Sequence, residues 1–238
     1  MKIVVATTTF YPLDSESSKI RACLAIDLMK KVKEKGYPLV VAEDGSSSEF
    51  LNLLKENNVE YVFQTEKGLG AGKRLAISEA CKLGDIILLL EPEKSPLIDF
   101  AEDLCKPLLS GEADLVIPKR KSLSSYPLFQ QKSETLLNDF WKNVTGTDLD
   151  IDFGPRVMTK ETAQYFLSYN GTFGDRWESI FLPVIDAIRD NKKVLSVEVD
   201  YIHPKVQREN EEENIDFDLK RVDQLATLSN VIHTYWNR

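Results

Sequence analysis

Apolar residues along the first half of the chain recur in two alternating rhythms. A short β-branched run at 2–8 is followed over 20–36 by apolar spacing of helical period that stops at Gly36. The pattern then repeats: a strand at 38–43, a helix through 49–57 that Ser47 or Ser48 can cap, and a strand at 59–64. A helix at 71–84 closes on Gly84 and leads into 85–93, a run apolar at successive positions, as befits the buried centre of a parallel sheet. A helix at 95–111 and a strand at 113–120 complete the series. Strands alternating with helices predict an α/β fold, a mostly parallel central sheet flanked by helices.

The second half reads differently. A helix is expected at 133–144, a loop at 145–156, a short strand with helices over 157–167 and 175–191, and a last strand with two-residue alternation at 193–204. The charge run 207–214 reads as solvated and mobile. Over 215–236, Leu225, Leu228, Ile232 and Tyr235 share one helical face, which predicts a helix packed back on the domain, with a homodimer contact as its alternative use. The expected organisation is one domain: a nucleotide-binding half at 1–118, an acceptor-side half at 119–206, and a charged linker with an amphipathic helix at 207–238.

Composition narrows the function classes. A net charge of −8 in 238 residues argues against broad binding to nucleic acid. Cys23, Cys81 and Cys105 stand far apart, without a CxxC pair, which points to a reducing compartment and to three thiols packed as small apolar side chains in helices. No apolar run has the length of a signal peptide or a membrane span, so the expected location is cytoplasmic and the glycosylation sequons at Asn143 and Asn170 read as chance.

Four segments carry polar groups to the carboxyl edge of the predicted sheet, the edge where open α/β sheets bind ligands. They are 7–9, 43–48, 66–73 and 91–95. The stretch "EKGLGAGKR" matches neither a P-loop nor GxGxxG, but it is a glycine-rich helix entry whose N–H groups can face an anion, with Lys73 and Arg74 adding charge. A flexible loop with solvated basic residues is the alternative. Glu91 and Glu93, two residues apart where the most apolar strand ends, would share a face and could hold Mg²⁺ or Mn²⁺; a surface turn around Pro92 is the plainer reading.

Taken in order, the segments resemble a family. "AEDGSSSEF", "EKGLGAGKRLAISEACKLGDIILLLEPEKS", "ADLVIPKRKS", "DIDFGPRVMTKE" and "VLSVEVDYIHP" are similar to successive motifs of nucleotide-sugar glycosyltransferases of the GT-A fold, family 2 in particular, over about residues 2–204. The resemblance implies that Thr7 and Thr9 line a base pocket, that Asp44 contacts the nucleobase, and that Gly68, Gly70, Lys73 and Arg120 serve the rest of the donor. It places Glu91 and Glu93 at the metal-binding DxD positions, and His203 at the metal-ligand histidine of retaining relatives such as the mannosylglycerate and glucosyl-phosphoglycerate synthases, although His203 reads equally well as structural. Asp175 and Glu178 fall where inverting relatives keep a catalytic base, with helix capping as the alternative, and Asp152 would orient the donor in a retaining enzyme.

The implied reaction moves a sugar from a nucleoside diphosphate to an acceptor hydroxyl, assisted by a divalent metal. Departures from the pattern are Glu-x-Glu in place of Asp-x-Asp, "TTTFYP" at the first strand end, and Arg120 after a lysine. They keep open a non-catalytic nucleotide-sugar-binding protein. A sugar-phosphate nucleotidylyltransferase would need a glycine-rich loop directly after the first strand, where this chain has none.

Overall fold

The computed structural model describes residues 1–212 and 214–238, without the side chains of Glu211 and Glu212. Strands β1 (Ile3–Thr9), β2 (Leu39–Glu43), β3 (Val62–Phe63) and β4 (Ile86–Leu89) alternate with helices α1 (Glu16–Glu34), α2 (Ser48–Glu56) and α3 (Leu69–Leu83). A 3-10 segment, Ser95–Phe100, runs into α4 (Ala101–Leu109), followed by β5 (Leu115–Arg120), α5 (Leu128–Thr145), β6 (Arg156–Thr159), α6 (Ala163–Ser168), α7 (Glu178–Arg189) and β7 (Val194–Val199). The chain closes with a short turn α8 (Lys205–Gln207), a π-helical turn (Arg208–Glu212) and α9 (Ile215–Trp236).

All seven strands form one sheet in the order β3-β2-β1-β4-β6-β5-β7. Only β6 runs antiparallel to its neighbours β4 and β5. Successive side chains on a strand point to opposite faces, and the core divides accordingly. Val4, Ala6, Ile87, Leu89, Leu115 and Ile117 meet α3, α5, α6, α7 and α9 on one face. Val5, Ile86, Leu88 and Val116 meet α1 and α4 on the other. Both faces are covered, which is why β4 is apolar at every position; each leucine-sized side chain so buried contributes roughly 1.5–3 kcal/mol.

Several element bounds differ from the sequence reading. Strand β3 shrinks to two residues because it is the sheet edge, with Val62 and Phe63 exposed. Strand β4 stops at Leu89, so Glu91 and Glu93 stand in a turn and not on a pleat. Helix α5 starts five residues earlier than expected, with Pro127 at its N-cap. Cys81 and Cys105 are buried as expected, but Cys23 is exposed on α1. Part of the charge run lies outside the described residues at Glu213; of the rest, Gln207 is buried rather than solvated.

Helix α9 packs back as its periodicity indicates. Leu228 and Ile232 are fully buried, and Leu225 and Tyr235 pack beside them. Among the described residues, no helix is long and apolar enough to cross a membrane.

Candidate active site

A cleft of 360 Å³ opens along the carboxyl edge of β1, β2 and β4, the edge at which open α/β sheets bind ligands. Its floor is made by Thr8 and Thr9 from β1, Asp44 after β2, Leu89 to Lys94 after β4, and Gly68, Leu69, Gly72 and Lys73 from the start of α3. The facing wall comes from the loop Asp152–Gly154, from Arg176, Trp177, Ile180 and Phe181 around the start of α7, and from Phe217, Lys220, Arg221 and Gln224 of α9. Among the described residues, seven lysines and arginines line the cleft with five carboxylates. On a protein of net charge −8, this is a local surplus of positive charge, suited to an anionic ligand.

On the donor side, Asp44 lines the cleft and its carboxylate makes no hydrogen bond among the described residues. The strand ends on two carboxylates because they do different things. Glu43 is fully buried and accepts from Thr9 Oγ1 at 2.7 Å and from Ser46 N and Oγ at 2.5 and 2.7 Å, holding the turn that presents Asp44. Thr7 is buried and does not line the cleft; its hydroxyl donates to Leu90 O at 2.9 Å, tying β1 to the exit of β4.

Lys73 is 7 % exposed, lines the cleft and has no hydrogen bond or ion pair among the described residues. Burial pulls its ammonium down to about 8, against the attraction of Glu91. Gly68 caps α3 beside it, so the positive end of the helix faces the same space. Gly70 lies outside the lining: its N–H donates to Asp175 O at 2.9 Å, and a β-carbon there would collide with Asp175.

The three residues expected to ligate a metal do not converge. Glu91 Oε2 sits 2.6 Å from Lys94 Nζ. Burial alone would raise the Glu91 carboxyl, but Lys94 beside it and the field of Lys73 bring it down to about 2. Glu93 Oε1 accepts from the Tyr11 hydroxyl at 3.1 Å and lies 3.7 Å from Arg21 Nη1. His203 is buried with its ring stacked 4.2 Å from that of Tyr126. Among the described residues, no group of three His, Cys, Asp or Glu side chains is placed to hold a metal ion. As arranged, this donor set does not fit a divalent cation.

Arg120, expected on the donor, is committed elsewhere. Its guanidinium reaches Glu134 at 2.6 Å and Asp150 at 2.7 and 2.8 Å, between the rings of Tyr126 and Phe153. Asp175 and Glu178, expected as bases, do not line the cleft. Asp175 is held by Arg74, and Glu178 turns back to accept from Arg176 N at 3.0 Å.

Asp152 does line the cleft, and Gln224 Nε2 donates to its Oδ1 at 3.3 Å. Burial and the nearby Glu134 push its carboxyl up to about 7, against Arg221 and Arg120. The fully buried Arg156 fixes the loop that carries it, donating to Ile151 O at 2.8 Å, Pro155 O at 2.9 Å and Phe153 O.

Sequence reasoning missed Lys94, Arg176, Lys220, Arg221 and Gln224. Lys94 stood in plain view, three residues after Glu91, the spacing of an ion pair within one turn. The α9 residues carried no signal, because only the tertiary fold brings the first turns of that helix to the sheet edge.

No family model and no curated protein sequence matches this chain. Solved structures do. Glucosyl-3-phosphoglycerate synthase from Mycobacterium tuberculosis, in complex with Mn²⁺, UDP-glucose and phosphoglyceric acid, superposes with a TM-score of 0.66 at 15% identity, over 97% of this chain and 79% of that one. Its complex with Mn²⁺, UDP and phosphoglyceric acid gives 0.66 at 16% identity over 97% and 78%. The same enzyme described without a ligand gives 0.63 at 18% over 97% and 80%. At these identities the likeness establishes the fold: this chain has the GT-A fold of nucleotide-sugar glycosyltransferases.

Proposed function

We propose that this protein is a glycosyltransferase that moves a sugar from a nucleoside diphosphate to an acceptor hydroxyl. The observation that carries the reading is Lys73, buried at the start of α3 with no hydrogen bond or ion pair among the described residues, in a cation-rich cleft on the carboxyl edge of the sheet. A buried charge without a partner is unfavourable, and a diphosphate in the cleft would supply one. Asp44, whose carboxylate makes no hydrogen bond among the described residues, is the candidate contact for the nucleobase N–H groups.

In the proposed reaction the acceptor oxygen attacks the anomeric carbon of the donor. The bond from that carbon to the diphosphate oxygen breaks, and its electron pair leaves with the nucleoside diphosphate. Lys73 shares the charge that develops there. For an inverting course Asp152 is the proposed base, taking the acceptor proton, since it is the raised carboxyl lining the same cleft as Lys73. For a retaining course the departing diphosphate takes that proton, and Asp152 orients the donor. Arg176, stacked 4.5 Å over Trp177 at the start of α7, forms the proposed platform for the acceptor.

A second reading, a binding module without turnover, draws on Glu91 and Glu93, each engaged by a cation of the protein. Incubation with a panel of UDP-, GDP- and ADP-sugars separates the two. Release of free nucleoside diphosphate, with a change of sugar-anomer signals, supports the transferase. Binding without release from any donor supports the module.

A further inference from the structure

Two carboxylates at the exit of a central strand supply hard oxygen donors that can hold a divalent cation. Here the position is filled from within the chain. Lys94 Nζ approaches Glu91 Oε2 to 2.6 Å and lies 5.3 Å from the centre of the Phe153 ring. The Glu91 carboxylate is pressed against Gly154, where any β-carbon would run into it, so backbone closes that flank. Glu93 is engaged by Tyr11 and Arg21. A hard cation with six or more oxygen ligands would have to displace Lys94 and then sit beside both its ammonium and that of Lys73.

We infer that the ammonium groups of Lys94 and Lys73 take the place of a divalent cation, so that a nucleoside diphosphate binds this cleft and leaves it without metal. The inference rests on the donor-site reading above. Its geometric basis is that both lysines line the same cleft and both act on Glu91: Lys73 on α3 and Lys94 in the turn after β4. A diphosphate bound in the cleft beside Glu91 would meet both ammonium groups. Glu91 then orients Lys94 and is not itself a ligand. The Mn²⁺ held by the synthase of like fold would have no counterpart here.

The test is calorimetric titration of the full-length protein with UDP and with GDP, once in EDTA and once in Mn²⁺, together with the paramagnetic resonance spectrum of Mn²⁺ added to protein alone. The expected result is equal affinity in the two buffers, within about twofold, and a Mn²⁺ spectrum unchanged by the protein. In EDTA, Lys94→Met should weaken binding by about tenfold or more, the effect of losing one charge-assisted hydrogen bond. Tightening by Mn²⁺ of about tenfold or more, lost in Glu91→Gln, would overturn the inference and leave the donor site standing. Unchanged affinity in folded Lys94→Met would overturn it as well. Should Lys94→Met fail to fold, the wild-type titrations in EDTA and Mn²⁺ decide alone. An absence of binding by either nucleotide in both buffers would remove the donor-site reading itself, and the inference with it.

Discussion

Arg74 grips Asp175 with both terminal nitrogens of its guanidinium, at 2.6 and 2.8 Å, across 101 residues of chain. With the Gly70 N–H bonded to Asp175 O at 2.9 Å, this pair fastens the start of α3 to the turn before α7, the two helices that border the cleft. Asp175 is therefore a clasp. The pair is partly solvated, with side chains 22% and 34% exposed, so its loss costs about 1 kcal/mol or less. Asp175→Asn is expected to lower the melting temperature by a few degrees and to leave nucleotide affinity unchanged.

Glu178 is buried at 4 % exposure, caps the Arg176 N–H, and presses on Gly174. Glu178→Gln keeps the shape and weakens the cap, a loss of roughly 1–3 kcal/mol for a buried polar group. The transfer rate should stay close to that of the wild type. A drop of about 10² or more at unchanged melting temperature would restore Glu178 as the base.

Asp152 makes a pH prediction with a definite sign. Its carboxyl titrates at about 7 in the folded protein, whereas an unfolded chain releases that proton near the ordinary value of about 3.9. The stabilisation from holding the proton is complete below the ordinary value and is lost as pH rises through about 7. Asp152→Asn should therefore raise the melting temperature more at pH 8 than at pH 5. A base must be unprotonated, so in an inverting enzyme the wild-type rate should rise through about 7 and level off, while Asp152→Asn should lose about 10²- to 10⁴-fold. A flat rate profile would assign the proton to another group.

Arg120 satisfies two buried carboxylates, Glu134 and Asp150, at side-chain exposures of 1%, 4% and 6%. Arg120→Met would leave Asp150 with only the neutral donors Asn138 and the backbone N–H of residue 120, and Glu134 with Gln130 and the more distant Arg221, a loss of roughly 3–5 kcal/mol, measurable by urea unfolding. Unchanged stability with lost nucleotide affinity would instead put Arg120 on the donor.

What could be read from the sequence was what depends on neighbours in the chain. The apolar runs at β1, β2 and β4 and the serine cap of α2 are local signals, and each formed the expected element. The order of motif-like segments pointed to the GT-A fold because the fold is itself an ordered series of such segments. Side-chain direction was not legible. Whether Glu43 or Asp44 faces the cleft depends on Thr9 and Ser46, and whether Arg120 is available depends on Glu134 and Asp150. The reading of Glu91 and Glu93 as a same-face pair failed because β4 ends at Leu89, four residues before the strand end at 93 that the alternation required. The contribution of α9 to the cleft comes from packing across α5 and α7, which no periodicity encodes.

The measurement that tests the central claim most directly is the binding of UDP and GDP to wild type and to Lys73→Met, by calorimetry between pH 7 and pH 9.5. Lys73 is charged below about 8, so wild-type affinity should be constant near neutrality and should fall as pH rises through that value. Lys73→Met should bind about tenfold or more weakly at neutral pH, keep or raise its melting temperature, and show no such pH dependence. Binding by neither nucleotide, or equal binding by the wild type and Lys73→Met, would contradict the assignment of this cleft to a nucleoside-diphosphate donor.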